Sequence, residues 1–562
     1  MAENPSDASL AGTETAESGG ADLELAEVLG APPPCLTGRV AARLGPDAAD
    51  LLRADPWALL AVPALRPERA DALARSLLGD AARPDDPRRA RGIARWLLER
   101  GARDGHTVVT AATVRSVFAG YGMDRPDAAL DAVLDDTEVE SFVVLDGDTP
   151  RAVLGLSRYA AAEEAIADSL ERLLATADPL AVHDGGGRPD TPDGGSAALR
   201  AFDAPGVNVL LQGAGADVAG VLRAARERAG GRRCALVAPT GRAAAALAER
   251  TGAAATTIRG FVADRGAELT VVDGVQSLDV TDAAAVLAAV PDGGRVLLCG
   301  DIAELPPAGP GRVLTDVVTA GAAAVTELVG AEETALTGLA AAVRAGYLPP
   351  VHSPDREVVI VSARDDADAT RRAVQLVVDS IPRALQIPPR QVQVLTPLWR
   401  GTAGAAALNA TLKQHLNPGP GSHEGFDAGD RVVTTADLGV PAPAGEVGVV
   451  TAADGHGPAA GVTVEFSGGT VRVTRPDLGY LRHGWAISVH QARGARWPAI
   501  VAVLPGEAAG ALSRPLVYTA VGRALRHLSV VHGAGPALAR GVADVAAPPR
   551  RTRLGPILRG EG

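Results

Sequence analysis

The chain has 562 residues, a net charge of −13 and a single lysine, Lys413. At about 100–200 residues per domain it predicts several domains. The acidic balance excludes a protein that coats nucleic acid indiscriminately, although a local basic groove stays open, because charge distribution steers DNA.

Three widely spaced cysteines, Cys35, Cys234 and Cys299, form no C-x-x-C pair. They predict neither a metal site nor a disulfide framework, as expected of a reducing cytoplasm. No apolar run approaches the ~20 residues that cross a bilayer, so no membrane partner is expected.

In chain order, residues 1–30 are acidic, lack basic residues and read as a disordered tail. Residues 31–100 are helical with short loops. The run from Asp55 through Val62-Pro63-Ala64-Leu65-Arg66 to Ala70 predicts a helix, a tight turn and a second helix. This is the outline of a helix-hairpin-helix DNA-binding unit, but Ala64 and Arg66 stand where glycines would let the backbone approach a phosphate. Arg66 and Arg69 could contact phosphate by side chain; a plain helical packing domain is the equal alternative. Residues 101–155 add helices and a strand at Ser141–Leu145, a winged-helix-like pattern. A helix follows, then a Gly/Asp/Pro-rich linker from Asp178 to Gly195.

Beyond Gly206, short Val/Leu runs alternate with Ala-rich helices: Val207–Leu211, Cys234–Ala238, Leu269–Val272, Arg295–Cys299, Val358–Val361 and Val392–Leu395. Continuous apolar strands between helices predict parallel sheets covered on both faces, here two in succession, with a cleft outside the strand ends. Residues 429–481 turn all-β and read as a small barrel inserted into the second α/β domain. The Arg-rich end, 546–562, reads as a basic tail.

The loop after the first long strand, Gln212-Gly213-Ala214-Gly215-Ala216-Asp217-Val218-Ala219, sits where a phosphate-binding loop would be. Such a loop is G-x-x-x-x-G-K-[ST]: its amides curl around phosphates, its Lys holds the terminal phosphate and its Ser/Thr holds Mg²⁺. Gln212, Asp217, Val218 and Ala219 occupy the four specified positions. Arg-for-Lys drift in a GC-rich genome would leave Arg at a lost lysine, whereas this loop carries Val218.

Further segments follow in order. They are Ala238-Pro239-Thr240-Gly241-Arg242 with Thr256-Thr257-Ile258, and Cys299-Gly300-Asp301-Ile302-Ala303-Glu304-Leu305-Pro306-Pro307. Then come Val392–Pro397 with Arg400-Gly401, Ala486-Ile487-Ser488-Val489-His490, and Tyr518-Thr519-Ala520-Val521-Gly522-Arg523-Ala524. Together they resemble the long-form RecD-like DNA helicases of superfamily one, over most of the chain.

The resemblance implies an α/β fold: two RecA-like P-loop-type domains with an SH3-like barrel insertion, preceded by helix-hairpin-helix and winged-helix-like modules. The expected boundaries are 156–325 for the first RecA-like domain, 326–428 and 482–545 for the second, and 429–481 for the insertion. It implies ATP with Mg²⁺ as the family's cofactors and unwinding of DNA as its activity. It also carries over DNA contacts to Pro239, Thr240, Gly241, Arg242, Thr257, Arg400 and His490, and an arginine-finger position to Arg523.

The departures gather around one ligand. The strand Leu269–Val272 ends in Asp273-Gly274 where the family has Asp-Glu, so the carboxylate that orients water is missing. Glu304 replaces a glutamine, Val329-Gly330-Ala331 replaces a sensor arginine, Gln491-Ala492-Arg493-Gly494 replaces Lys-Ser-Gln-Gly, and Arg496 replaces an acid. One lost oxyanion-type donor costs roughly 10²–10³ in rate and an arginine finger roughly 10³–10⁵, without additivity. The nucleotide pocket of Gly213, Gly215, Asp217, Val218, Ala219, Asp273 and Arg523 therefore reads as vestigial, with no cofactor retained.

Bland readings stand beside these. Asp273 reads as a strand-end cap before a vestigial metal ligand, Arg523 as a structural arginine between domains, and His490 as an interdomain histidine. Trp399, Trp485 and Trp497 could stack unpaired bases, but filling a domain seam is commoner.

The resulting expectation is a helicase-like protein without ATP hydrolysis. It would act as a DNA-binding or partner-binding subunit in repair or recombination, on single-stranded or tailed DNA, beside an active helicase or repair protein. Two alternatives remain: an active helicase whose pocket borrows Arg223, Arg226 or Arg523, and a protein-interaction scaffold without DNA.

Overall fold

A computed structural model describes residues 23–30, 32–147, 149–177, 206–216, 218–228, 233–264, 266–328, 330, 334–439, 441–454 and 460–561. Most of the predicted acidic tail, the predicted linker and Asp217 lie outside these residues. The chain forms two compact units, one from Met1–Glu163, Gly309–Gly311 and Arg550–Gly562, the other from Glu164–Ala308 and Arg312–Pro549.

In the first unit, helices Pro34–Leu44, Ala48–Ala54, Pro67–Leu78 and Pro87–Arg103 surround a 3₁₀ turn at Pro56–Ala61. Trp57, Leu60, Leu52 and Ile93 fill their core. Leu25, Val28 and Leu29 are buried in the same core, so the disordered reading of the first 30 residues does not extend to 23–30. The hairpin turn needs a left-handed residue, and Ala64 supplies it at φ 68°, a conformation a Cβ disfavours. The Trp96 indole donates to the Leu65 carbonyl at 2.9 Å and pins that turn.

Strand β1 (Val108–Thr110), helices Ala111–Gly120 and Pro126–Leu134, and the hairpin β2 (Val139–Asp146) and β3 (Thr149–Leu156) follow. The sheet order is β1-β3-β2, antiparallel throughout.

The end of the chain is not a free tail. Arg551 offers its carbonyl to the Thr107 amide at 2.9 Å. Glu163 accepts from the Thr107 hydroxyl (2.8 Å), the Arg553 amide (3.0 Å) and the Leu554 amide (3.1 Å). Arg553 lies over Phe142 at 3.7 Å, and Arg550 donates to the carbonyls of Gly309 (2.9 Å) and Gly311 (2.7 Å). Of the arginines that suggested a solvated tail, Arg550 donates its guanidinium to two glycine carbonyls, Arg553 lies on an aromatic ring, and Arg551 is held by its main chain.

The second unit contains two parallel sheets. The first lobe carries β4 (Val207–Gln212), β5 (Cys234–Ala238), β6 (Ala255–Thr257), β7 (Leu269–Asp273), β8 (Arg295–Gly300) and β9 (Ala324–Leu328) in the order β6-β5-β7-β8-β4-β9. Because β9 pairs with β4, this lobe runs to Leu328, three residues past the expected boundary at 325. All six residues of β8 are buried, as a strand covered on both faces requires.

The second lobe opens with β10 (Val358–Ser362) and β11 (Val392–Thr396). An antiparallel insertion then intervenes: β12 (Arg431–Thr434), β13 (Val447–Asp454), β14 (Gly461–Phe466), β15 (Gly469–Thr474) and β16 (Leu481–His483), in the order β15-β14-β13-β12-β16. The lobe resumes with β17 (Ala486–Ser488), β18 (Trp497–Leu504) and β19 (Ala524–His532), giving the parallel order β10-β19-β18-β11-β17.

The lone lysine anchors this insertion. Lys413 Nζ, on the helix Ala405–Leu416, donates to Asp427 at 2.8 Å and to both oxygens of Asp430 at 2.9 and 2.7 Å. Asn417 and His483 complete the shell of Asp430. Burial works against its charge, but His483, Lys413 and Asn417 hold its carboxyl down to about 2. Arg431, where β12 begins, reaches back to the Val392 carbonyl at 2.9 Å, and burial lowers its pKa to about 10.

Candidate nucleotide cleft and nucleic-acid interface

The phosphate-loop position follows β4, where a parallel sheet presents its ligand-facing end. The local bonds turn inward there. Gly213 donates its amide to Leu328 O at 2.9 Å, and Ala216 donates to Gly213 O at 3.2 Å. The Gln212 amide side chain donates to Asp273 Oδ1 at 2.9 Å, which gives this strand-end carboxylate a neutral partner. Val218 and Ala219 are buried in the lobe. A Cβ on Gly330 would run into the carbonyl of Ala214 and the backbone of Gly215, so Gly330 itself lies flush on the loop. Ala214 itself packs on the apolar cluster of the second lobe that includes Val489, Tyr518 and Val521.

Beside this loop the two lobes are joined by side chains. Arg523 donates through Nε to Thr519 O at 3.1 Å and pairs through Nη2 with Glu304 of the facing lobe. The pair is enclosed, with side-chain exposures of 3% and 10%. Glu304 also accepts from Gln276 Nε2 at 3.0 Å, and Gln276 Oε1 accepts from the Asp301 amide at 3.3 Å. The Tyr518 hydroxyl donates to Asp301 Oδ2 at 2.5 Å, and the Leu305 amide donates to Thr519 Oγ1 at 2.8 Å. Burial raises the pKa of Asp301 despite that hydroxyl, and burial with Asp301 alongside raises that of Tyr518.

A second constellation lies at the start of the helix Gly241–Thr251. Thr240 caps it, accepting from the Ala243 amide at 3.1 Å. The amides of Gly241 and Arg242, which the sequence offered to a DNA phosphate, each donate at 3.0 Å to the carboxylate of Glu446 from the β insertion. Burial raises the pKa of Glu446 and lowers that of Arg242, whose guanidinium lies 4.8 Å from the Trp497 ring. Thr257 caps the next helix, accepting from Gly260 at 3.2 Å.

Pro239, Gly241, Thr256, Thr257 and Arg259 line one wall of a groove of about 470 Å³. Pro441, Pro443 and Ser467 of the insertion line the other, and Arg259 pairs with Asp437 across it. Arg400 and His490 are exposed and are not among the residues lining this groove. Trp485 and Trp497 are buried, as seam-filling residues would be, while Trp399 is 38% exposed.

Sequence reasoning missed Glu446, Gln276, Tyr518 and Thr519 as parts of these sites. Tyr518 and Thr519 lay in a segment that carries the resemblance but were given no role, and Glu446 had a faint signal, an acid beside glycines at the start of a β-strand.

Two parallel-sheet lobes meeting over the loop that follows β4 define a P-loop helicase fold. The ATP-dependent RecD2 DNA helicase HHH domain matches residues 27–108, the AAA domain residues 196–356 and the UvrD-like helicase C-terminal domain residues 483–531. An ATP-dependent RecD2 DNA helicase of Deinococcus radiodurans is 31% identical over 86% of this chain and 71% of its own. The RecBCD enzyme subunit RecD of Mycobacterium tuberculosis is 29% identical over 67% of this chain and 76% of its own. A Pif1 helicase structure from Candida albicans aligns with 57% of this chain and 90% of its own, at 15% identity and a TM-score of 0.33. The chain belongs to the RecD2 DNA helicase family.

Mg²⁺ and ATP, the cofactors such a family implies, do not fit the residues present. A triphosphate needs inward-facing amides and a cation at the loop. Here the Gly213 amide is spent on Leu328 and buried Val218 fills the lysine position. Among the described residues, no helix is long and apolar enough to cross a membrane, and no group of His, Cys, Asp and Glu could hold a metal ion.

Proposed function

We propose that this protein keeps the architecture of a RecD2-type helicase but does not hydrolyse ATP, and serves as a DNA-binding or partner-binding subunit in repair or recombination. One observation carries the reading: the loop after β4 is closed by its own chain. Its first glycine is bonded to Leu328, Gly330 presses on Ala214 and Gly215, and Ala214 packs under the second lobe. Two of the three cations named for an alternative pocket do not favour one, and the side chain of Arg226 lies outside the described residues. Arg523 is committed to Glu304, and Arg223 donates to the Arg250 carbonyl at 2.5 Å.

The relatives' identity as DNA helicases favours DNA as the partner class, and the groove beneath the β insertion supplies a surface for an unpaired strand. Thr256 and Thr257 line it with hydroxyls, a donor type that holds phosphates, and Arg259, paired with Asp437, stands beside them. DNA-stimulated ATP turnover by the purified protein is expected at the buffer level, and turnover clearly above it refutes the inactive reading. Fluorescence anisotropy with single-stranded and tailed DNA is expected to give affinity that falls with salt. No salt-dependent affinity for either would leave a protein-interaction scaffold in its place.

A further inference from the structure

The Glu304–Arg523 pair does more than fill a seam. A buried arginine at an interlobe cleft is costly unless an oxyanion meets its guanidinium, and a carboxylate oxygen and a phosphate oxygen can both do so. In this chain the oxyanion is built in. Glu304 comes from the loop after β8, the segment where the sequence departs from glutamine to glutamate. Arg523 comes from the end of the helix Arg514–Val521 in the facing lobe.

The rest of the seam is arranged around the pair. Gln276 holds the second oxygen of Glu304, the Leu305 amide next to it crosses to Thr519, and Tyr518 crosses to Asp301. Arg493 of the second lobe donates to the Pro306 carbonyl. Four residues of one loop, 301 and 304–306, are thus each bonded across the cleft.

We propose that Glu304 acts as a built-in substitute for a phosphate group, clasping the two lobes together through Arg523 without nucleotide. The lobes then rest in one closed arrangement, and what the protein does on DNA does not depend on a nucleotide cycle. This rests on the inactive reading above, but its failure can be told apart from the failure of that reading.

The test removes the internal anion and offers one from outside. In Glu304→Ala the guanidinium is left in an enclosed space the size of a lost carboxyl group. The variant should melt lower than the wild type, and inorganic phosphate or acetate should raise its melting temperature where chloride of equal ionic strength does not. Half-saturation should come at an anion concentration about tenfold or more below any seen with the wild type.

Glu304→Ser, which leaves comparable space beside the guanidinium, is the second variant should alanine fail to fold. The same anion preference is expected of it. Arg523→Gln should gain nothing from either anion. In the unaltered protein, hydrogen exchange at the Leu305 amide should be slow without nucleotide and unchanged by a non-hydrolysable ATP analogue with Mg²⁺.

Equal response of both Glu304 variants to chloride and phosphate would overturn the clasp, as would nucleotide-induced slowing at Leu305. ATP turnover by the unaltered protein would sink the inactive reading, while the anion titration would still decide the clasp separately.

Discussion

Replacing Lys413 by alanine is the sharpest probe of how the β insertion is held. The substitution removes the one cation between Asp427 and Asp430, whose side chains are 16% and 0% exposed. Asp430 titrates at about 2 in the folded protein, against about 3.9 for an ordinary aspartate. At about 1.4 kcal/mol per tenfold change, its whole shell contributes about 3 kcal/mol. Breaking a buried pair costs about 3–5 kcal/mol, because the remaining charge is stranded. Lys413 is partly exposed at 13%, so about 3 kcal/mol is the expected loss near neutral pH.

The sign of the pH dependence follows from the lowered pKa. The stabilisation is fully present above about pH 4 and disappears as pH falls toward 2. The gap between variant and wild type should therefore narrow below about pH 4, as protonated carboxyls cease to need an ammonium. Urea unfolding followed by tryptophan emission reports it, since Trp485 stacks on His483 at 5.3 Å within the same anchor. Lys413→Arg should recover more than half of the loss. A Lys413→Ala loss of under about 0.5 kcal/mol, the scale of an exposed pair, would refute the argument.

Other outcomes follow from single contacts. Val218→Lys buries a charge at a position 1% exposed; it should lower the thermal midpoint sharply and still give background ATP turnover, because Gly274 leaves no acid to orient water. Ala64→Gly relieves a left-handed alanine at φ 68° and should stabilise by about 0.5–1 kcal/mol in chemical denaturation. Ending the chain after Pro549 removes two of the donors to Glu163 and the buried Leu554. Limited proteolysis should then cut within residues 101–163 faster than in the full chain.

The strands of both lobes were legible in the sequence because continuous Val/Leu runs admit few other arrangements. Val392–Leu395, for example, became β11 with one residue added. The departure at the phosphate-loop position was equally plain, since Val218 stands where the loop pattern has a lysine. The end of the chain was misread because an arginine-rich segment looks solvated until a distant Glu163 takes up its main-chain amides and two glycine carbonyls take up the Arg550 guanidinium. Likewise the start of the helix Gly241–Thr251 advertised an anion site, but no local pattern could say that Glu446, 205 residues further on, would occupy it.

Local composition and order alone determined the kind of fold, the position of the cleft and the missing lysine, because those depend on residues within a few places of one another. Tertiary structure alone decided which charges meet. Lys413 on Asp430, Arg523 on Glu304 and Glu446 on a helix start are pairings across 17, 219 and 205 residues. The reason is physical: apolar periodicity is written along the chain, whereas the partner of a buried charge is fixed only when folding removes water from both.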